Sequence, residues 1–134
     1  MKYLLDTNLC IYLIKRRPSA VLTHLKRQLP AHVAISAITV AEMRYGADKS
    51  QWGAKNHQAL GTFFSAFRVI DFDIQAAQVY GKLRAALERA GRPLGSLDLL
   101  IASQALTLNL ILVTNNTKEF SQVPQLRIEN WAIE

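Results

Sequence analysis

Short apolar runs and helical stripes alternate along this chain. Tyr3-Leu4-Leu5 is an apolar run closed by Asp6, the pattern of a buried strand. Residues 8–15 (NLCIYLIK) carry apolar side chains at 9, 11, 13 and 14, and the length of the stretch tips this mixed pattern towards helix. Pro18 can start a second helix, running to about Gln28, with Val21, Leu22 and Leu25 on one face. Residues 33–35 read as a second strand, after which Ser36 is a good N-cap for a helix through Ala47. A further helix is expected over about 54–66, a third strand over 68–70, and a long amphipathic helix over 74–90, closed by Gly91 with Pro93 soon after. Ser96 is expected to cap a helix over 97–108. Residues 110–113 form an almost purely hydrophobic strand, and a short final strand falls near 126–128.

Strands alternating with helices, some apolar on both faces, imply an α/β class domain: a mostly parallel central sheet covered on both sides, in three layers α/β/α. The 134 residues allow one domain, 1–134, with no repeat, low-complexity tract or linker. Such folds place ligands at the carboxyl ends of strands. Neither a G-x-G-x-x-G turn nor a Walker loop is present, so a dinucleotide or nucleoside triphosphate site has no support.

Composition narrows the chemistry. Half of the residues are apolar, which excludes disorder as the main state. Sixteen Lys and Arg against ten Asp and Glu give a formal charge of +6, favouring a polyanionic partner, nucleic acid first and an acidic protein second. Lys15, Arg16 and Arg17 form the densest basic run, and Lys82, Arg84, Arg89 and Arg92 lead towards Asp98; the bland reading of both is a solvated helix face. The single cysteine, Cys10, fits a reducing cytosol and a core position. MKYLLD is too short before its first acid for a signal peptide. The longest apolar stretch, 97–113, is interrupted by Asp98, Ser103, Gln104, Thr107 and Asn109, so no membrane span is expected. A soluble, cytoplasmic protein is the expectation. His24, His32 and His57 lack metal-ligand spacing, and Trp52, Phe63, Phe64 and Phe67 read first as core.

Three of the ten acids sit in apolar company. Asp6 ends a strand, Glu42 lies in SAITVAEMRYG, and Asp98 is surrounded by Leu94, Leu97, Leu99, Leu100 and Ile101. Each has a bland explanation: Asp6 a helix cap, Asp98 a first-turn acid favoured by the helix dipole, Glu42 a partner for Arg44 or Lys49. Together they are harder to dismiss, because a parallel sheet can bring all three to one edge. Carboxylates about 5 Å apart repel by roughly 3 kcal/mol per pair at an effective dielectric near 20. A cation must neutralise such a cluster, and all-oxygen ligands select a hard one, Mg²⁺ or Mn²⁺. An acidic metal pocket on a basic protein suits phosphodiester hydrolysis.

LLDTN (4–8), ITVAEMRYG (38–46), GSLDLLIA (95–102), VTNNTKEF (113–120) and the closing VPQLRIENW (123–131) together resemble the PIN-domain toxins of VapC type, over essentially the whole chain. The resemblance implies a PIN-like α/β/α domain and a Mg²⁺-dependent endoribonuclease, the toxin of a type II toxin–antitoxin pair. Its metal-binding acids fall on Asp6 and Asp98 and its third acid on Glu42. A fourth acid usually follows the last long strand; here Asn116 and Glu119 compete for that place. Thr7, Asn8 and Thr114 match polar positions that orient the cluster. The resemblance further implies a structured translation RNA as substrate, a tRNA anticodon loop first, with 3′-hydroxyl and 5′-phosphate products. Its implied partners are a homodimer mate and a VapB-like antitoxin whose C-terminal segment enters the groove. The alternative is a non-cleaving RNA-binding or regulatory module on the same fold, favoured by Asn rather than Asp at 116.

Overall fold

The computed structural model describes residues 1–133. Five strands, β1 (Tyr3–Leu5), β2 (Val33–Ser36), β3 (Arg68–Ile70), β4 (Ile111–Val113) and β5 (Ile128–Glu129), form one sheet in the order β3-β2-β1-β4-β5. Every pairing is parallel. The helices are α1 (Thr7–Lys15), α2 (Ser19–Lys26), α3 (Ala37–Lys49), α4 (Gly53–Phe64), α5 (Ile74–Arg89), α6 (Ser96–Thr107) and α7 (Thr117–Phe120).

The period-two alternation of strand side chains divides the interior. Tyr3, Leu5, Val33, Ile35, Ile111 and Val113 point to one face, where they pack with Leu9, Leu13, Val21, Met43, Leu60, Phe64 and Trp131. Leu4, Ala34 and Leu112 point to the other, against Leu83, Leu87, Leu99, Ile101, Ala102 and Phe120. Two cores on one sheet are the three layers expected from the sequence. Cys10 is fully buried in the first of them.

Local differences from the expected elements have identifiable causes. Ser36 caps α3 through its side chain, accepting from the Ile38 amide at 2.9 Å. Ser96 does not cap α6: Gly95 holds the N-cap position and no side chain caps that helix. The final strand overlaps the expected one only at Ile128, running over Ile128–Glu129, because register is set by β4 (Leu112 opposite Ile128) and not by the local apolar pattern. A 3₁₀ turn at Pro30–His32 and the four-residue α7 are too short to carry a periodic signal. Phe64 is buried and Phe63 and Phe67 pack beside it, whereas Trp52 is exposed. Among the described residues no helix is long and apolar enough to cross a membrane.

The order of strands matters for the site. From β1 the chain steps to β2 and β3 on one side, then returns to lay β4 and β5 on the other. The carboxyl ends of β1 and β4 therefore flank the switch point, where open parallel sheets leave a crevice.

Candidate active site

Asp6 occupies that crevice. It directly follows β1 and is the N-cap of α1, its Oδ1 accepting from the Leu9 amide at 2.9 Å. Its Oδ2 accepts a short hydrogen bond from the hydroxyl of Thr114, the residue after β4. Thr114 Oγ1 in turn accepts from the Asn116 amide at 2.9 Å. The capping reading of Asp6 is thus correct but incomplete. A carboxylate offers about four acceptor sites, so two remain.

Glu42 comes from α3. Its Oε1 accepts from Thr7 Oγ1 at 2.8 Å, and Thr7 Oγ1 lies 3.1 Å from Thr39 Oγ1. Neither expected basic partner is engaged with it. Arg44 instead donates to the His57 carbonyl at 2.9 Å and pairs with His57 Nδ1, while Lys49 lies over the Tyr45 ring. Asp98, half-buried in the first turn of α6, makes no hydrogen bond among the described residues. Asp6, Thr7, Asn8, Glu42 and Asp98 all line one open groove of about 640 Å³, whose remaining walls are Ile11, Ile14 and the basic Lys15 of α1, Met43, Gly46 and Ala47 of α3, and Asn56, Ala59 and Leu60 of α4.

The electrostatics identify a charge excess. Burial pushes the Asp6 carboxyl up to about 6; its bonds from Thr114 and Leu9 oppose this, and the charges of Asp98 and Glu42 add to it. Asp98 is also raised, by burial first and then by Glu42 and Glu119. Among the described residues the ion pairs are His57–Asp48 and Arg84–Glu88, so none of these four acids has a cationic partner.

The donor set suits a hard cation: carboxylates and hydroxyls, with no thiolate or imidazole. Among the described residues no three acidic, His or Cys side chains are close enough to cage an ion unaided. Magnesium keeps several waters and takes only one or two carboxylates, so this open arrangement fits it.

Asn116 and Glu119 separate in role. Asn116 lies at the N-cap of α7 with no side-chain cap bond, whereas the charge of Glu119 reaches Asp98. Neither lines the groove.

Sequence reasoning missed several supports. Thr39 is fully buried beneath the Thr7–Glu42 pair, and a threonine three residues before Glu42 in an apolar helix was the available signal. Buried Gln104 accepts from the Ser36 hydroxyl and donates to the carbonyls of Ile70 and Asp71, at 3.4 and 3.2 Å, tying α6 to the ends of β2 and β3. Asn115 donates to the Tyr12 hydroxyl at 2.7 Å. Its Oδ1 is the one buried side-chain polar atom without a partner among the described residues.

Residues 3–126 match the PIN domain family. Ribonuclease VapC2 of Rickettsia felis is 43% identical over 132 residues, covering 98% of each chain. The tRNA(fMet)-specific endonuclease VapC of Shigella flexneri is 42% identical, covering 98% of this chain and 99% of its own. Among solved structures, DNA-bound VapBC from Salmonella typhimurium superposes with a TM-score of 0.92 at 40% identity, covering 98% of both chains.

Proposed function

This chain belongs to the PIN-domain family, among the VapC ribonucleases, and from that premise we propose that it is a divalent-metal-dependent endoribonuclease, the toxin of a toxin–antitoxin pair. The carrying observation is the set of unpaired carboxylates, Asp6, Glu42 and Asp98, lining one groove at the switch point of a chain with net charge +6. A buried carboxylate with two like charges nearby and no cationic partner is the pattern of a functional site.

Asp6 and Asp98 are the proposed metal ligands, with Glu42 completing the site through water; Mg²⁺ is the proposed ion and Mn²⁺ a substitute. When bound, such an ion polarises the scissile phosphate and lowers the pKa of water. Asp6 is locked by two hydrogen bonds, so its position is fixed before substrate arrives. Thr7 occupies Glu42 Oε1, leaving Oε2 to orient a water and take its proton. The products would be a 3′-hydroxyl and a 5′-phosphate. Since relatives are named as tRNA(fMet)-specific, a structured tRNA is the proposed substrate. Related structures are VapBC complexes, some on DNA, so a VapB-like antitoxin is the proposed partner.

The test is cleavage of total cellular RNA by antitoxin-free protein. Discrete fragments should form with Mg²⁺ and vanish with EDTA, and mapping their ends should locate one cut in one RNA class. Folded, Mg²⁺-saturated protein that leaves all RNA intact would refute the reading.

Glu119 is the proposed fourth acid, because its charge reaches Asp98. Glu119→Gln should lower kcat/KM by 10- to 100-fold, the usual cost of losing an outer partner of a metal site. Asn116→Ala should change it far less, since the bond to Thr114 comes from the Asn116 backbone. Equal rates in the two variants would remove Glu119 from the site.

A further inference from the structure

We infer that the exposed rings of Tyr45 and Trp52, on the α3–α4 hairpin bordering the acidic groove, form a stacking platform for unpaired RNA bases, with Lys49 placed to take an adjoining phosphate. This rests on the ribonuclease reading and adds how substrate is held beside the groove. Both rings are 65% exposed, and they are the only exposed aromatic side chains among the described residues.

Both residues are close chain neighbours of the groove wall, although neither ring lines it. Tyr45 lies three residues after Glu42 and next to Gly46, and both of those line it. Trp52 lies one turn before groove-lining Asn56, whose amide donates to the Trp52 carbonyl at 2.9 Å. The Lys49 ammonium is 5.7 Å from the centre of the Tyr45 ring and makes no ion pair among the described residues.

A single exposed apolar side chain needs no explanation. Two aromatic rings beside an acidic groove, one with a cation over it, form the combination by which unpaired nucleic acid is held: every base has a stacking face, and each step carries a phosphate. The surroundings favour RNA over a protein partner. Lys49 and Lys55 are exposed beside the rings and suit a polyanion, while the neighbouring acid, Asp48, is hydrogen-bonded to His57.

The test uses the full antitoxin-free chain with a labelled RNA hairpin bearing an unpaired loop, beside a fully paired duplex of the same composition. Tyr45→Ala and Trp52→Ala should each weaken hairpin binding in EDTA by about tenfold or more, the loss of one base stack, with duplex binding little changed. In Mg²⁺ the loss should appear in KM far more than in kcat. Tyr45→Phe keeps the ring and should rescue. Lys49→Gln should reduce the slope of log K against log salt by about 0.7. Hairpin binding should quench the fluorescence of exposed Trp52, leaving Trp131, 1% exposed, as the constant background. Ile74→Ala, at a 75% exposed apolar site elsewhere, should change nothing. Binding and cleavage unaffected in both ring variants would overturn the platform while the ribonuclease reading stands. Failure of the unmodified chain to bind or cut any RNA would overturn both. Ring variants that cleave normally but escape neutralisation by an antitoxin would assign the surface to protein, and the platform would fall.

Discussion

Replacing Asp6 by asparagine is expected to abolish RNA cleavage while raising the melting temperature of the metal-free protein. The two effects share one cause. Metal-free, the folded chain keeps the Asp6 proton up to about pH 6, whereas the unfolded chain releases it near 3.8. The folded state therefore binds more protons across that window, and its stability falls as pH rises through it. At neutral pH the buried charge costs on the order of 2–3 kcal/mol. Asparagine removes the charge and retains an acceptor for the Leu9 amide. Thermal unfolding in EDTA at pH 7 should show the variant several degrees more stable, with the difference shrinking towards pH 4. Adding Mg²⁺ should raise the melting temperature of the original chain, because it binds only the folded state, and should barely move the variant. Asp98→Asn should likewise be inactive. A variant at position 6 that is inactive and also less stable at every pH would mark Asp6 as structural alone.

The second large effect is expected at Thr114. Its hydroxyl is fully buried, donates to Asp6 Oδ2 and accepts the Asn116 amide. Thr114→Val keeps the shape and deletes both bonds. The carboxylate is then free to turn, and cleavage should fall by about 10- to 100-fold, as for other lost supports of a metal ligand. The Asn116 amide loses its partner, for a stability cost of about 1–3 kcal/mol. Thr114→Ser retains the hydroxyl and should recover most of the rate. Measuring kcat/KM beside urea unfolding separates the two losses; unimpaired cleavage by a folded Thr114→Val protein would exclude any part for this bond in orienting Asp6.

The sequence made the layers legible because apolar runs and helical stripes are local. Asp6, Glu42 and Asp98 were legible because each is a charge where apolar neighbours make charge expensive, and the structure brings all three to one groove. What was hidden is what depends on pairing. The bond between Thr114 and Asp6 joins residues 108 positions apart, and Gln104 reaches Ser36 across 68. No local pattern announces either. The diversion of Arg44 to His57, which leaves Glu42 to Thr7, is likewise settled by how α3 meets α4. Gly95 at the cap of α6 defeated the expectation for Ser96 because capping position depends on backbone entry, not on having a hydroxyl nearby.

β1 is the central strand, made early in synthesis, yet one of its two neighbours is β4, near the other end of the chain. At translation rates of 5–20 residues per second, the 108 positions between Asp6 and Thr114 take on the order of 5–20 s to make. Throughout that interval Asp6 lacks the hydroxyl that orients it, and one edge of its strand lacks a partner. On the ribonuclease reading, the carboxylates at the switch point are not all framed by neighbouring strands until β4 is made, so cleavage by the nascent chain should stay well below that of the finished protein until synthesis is nearly complete.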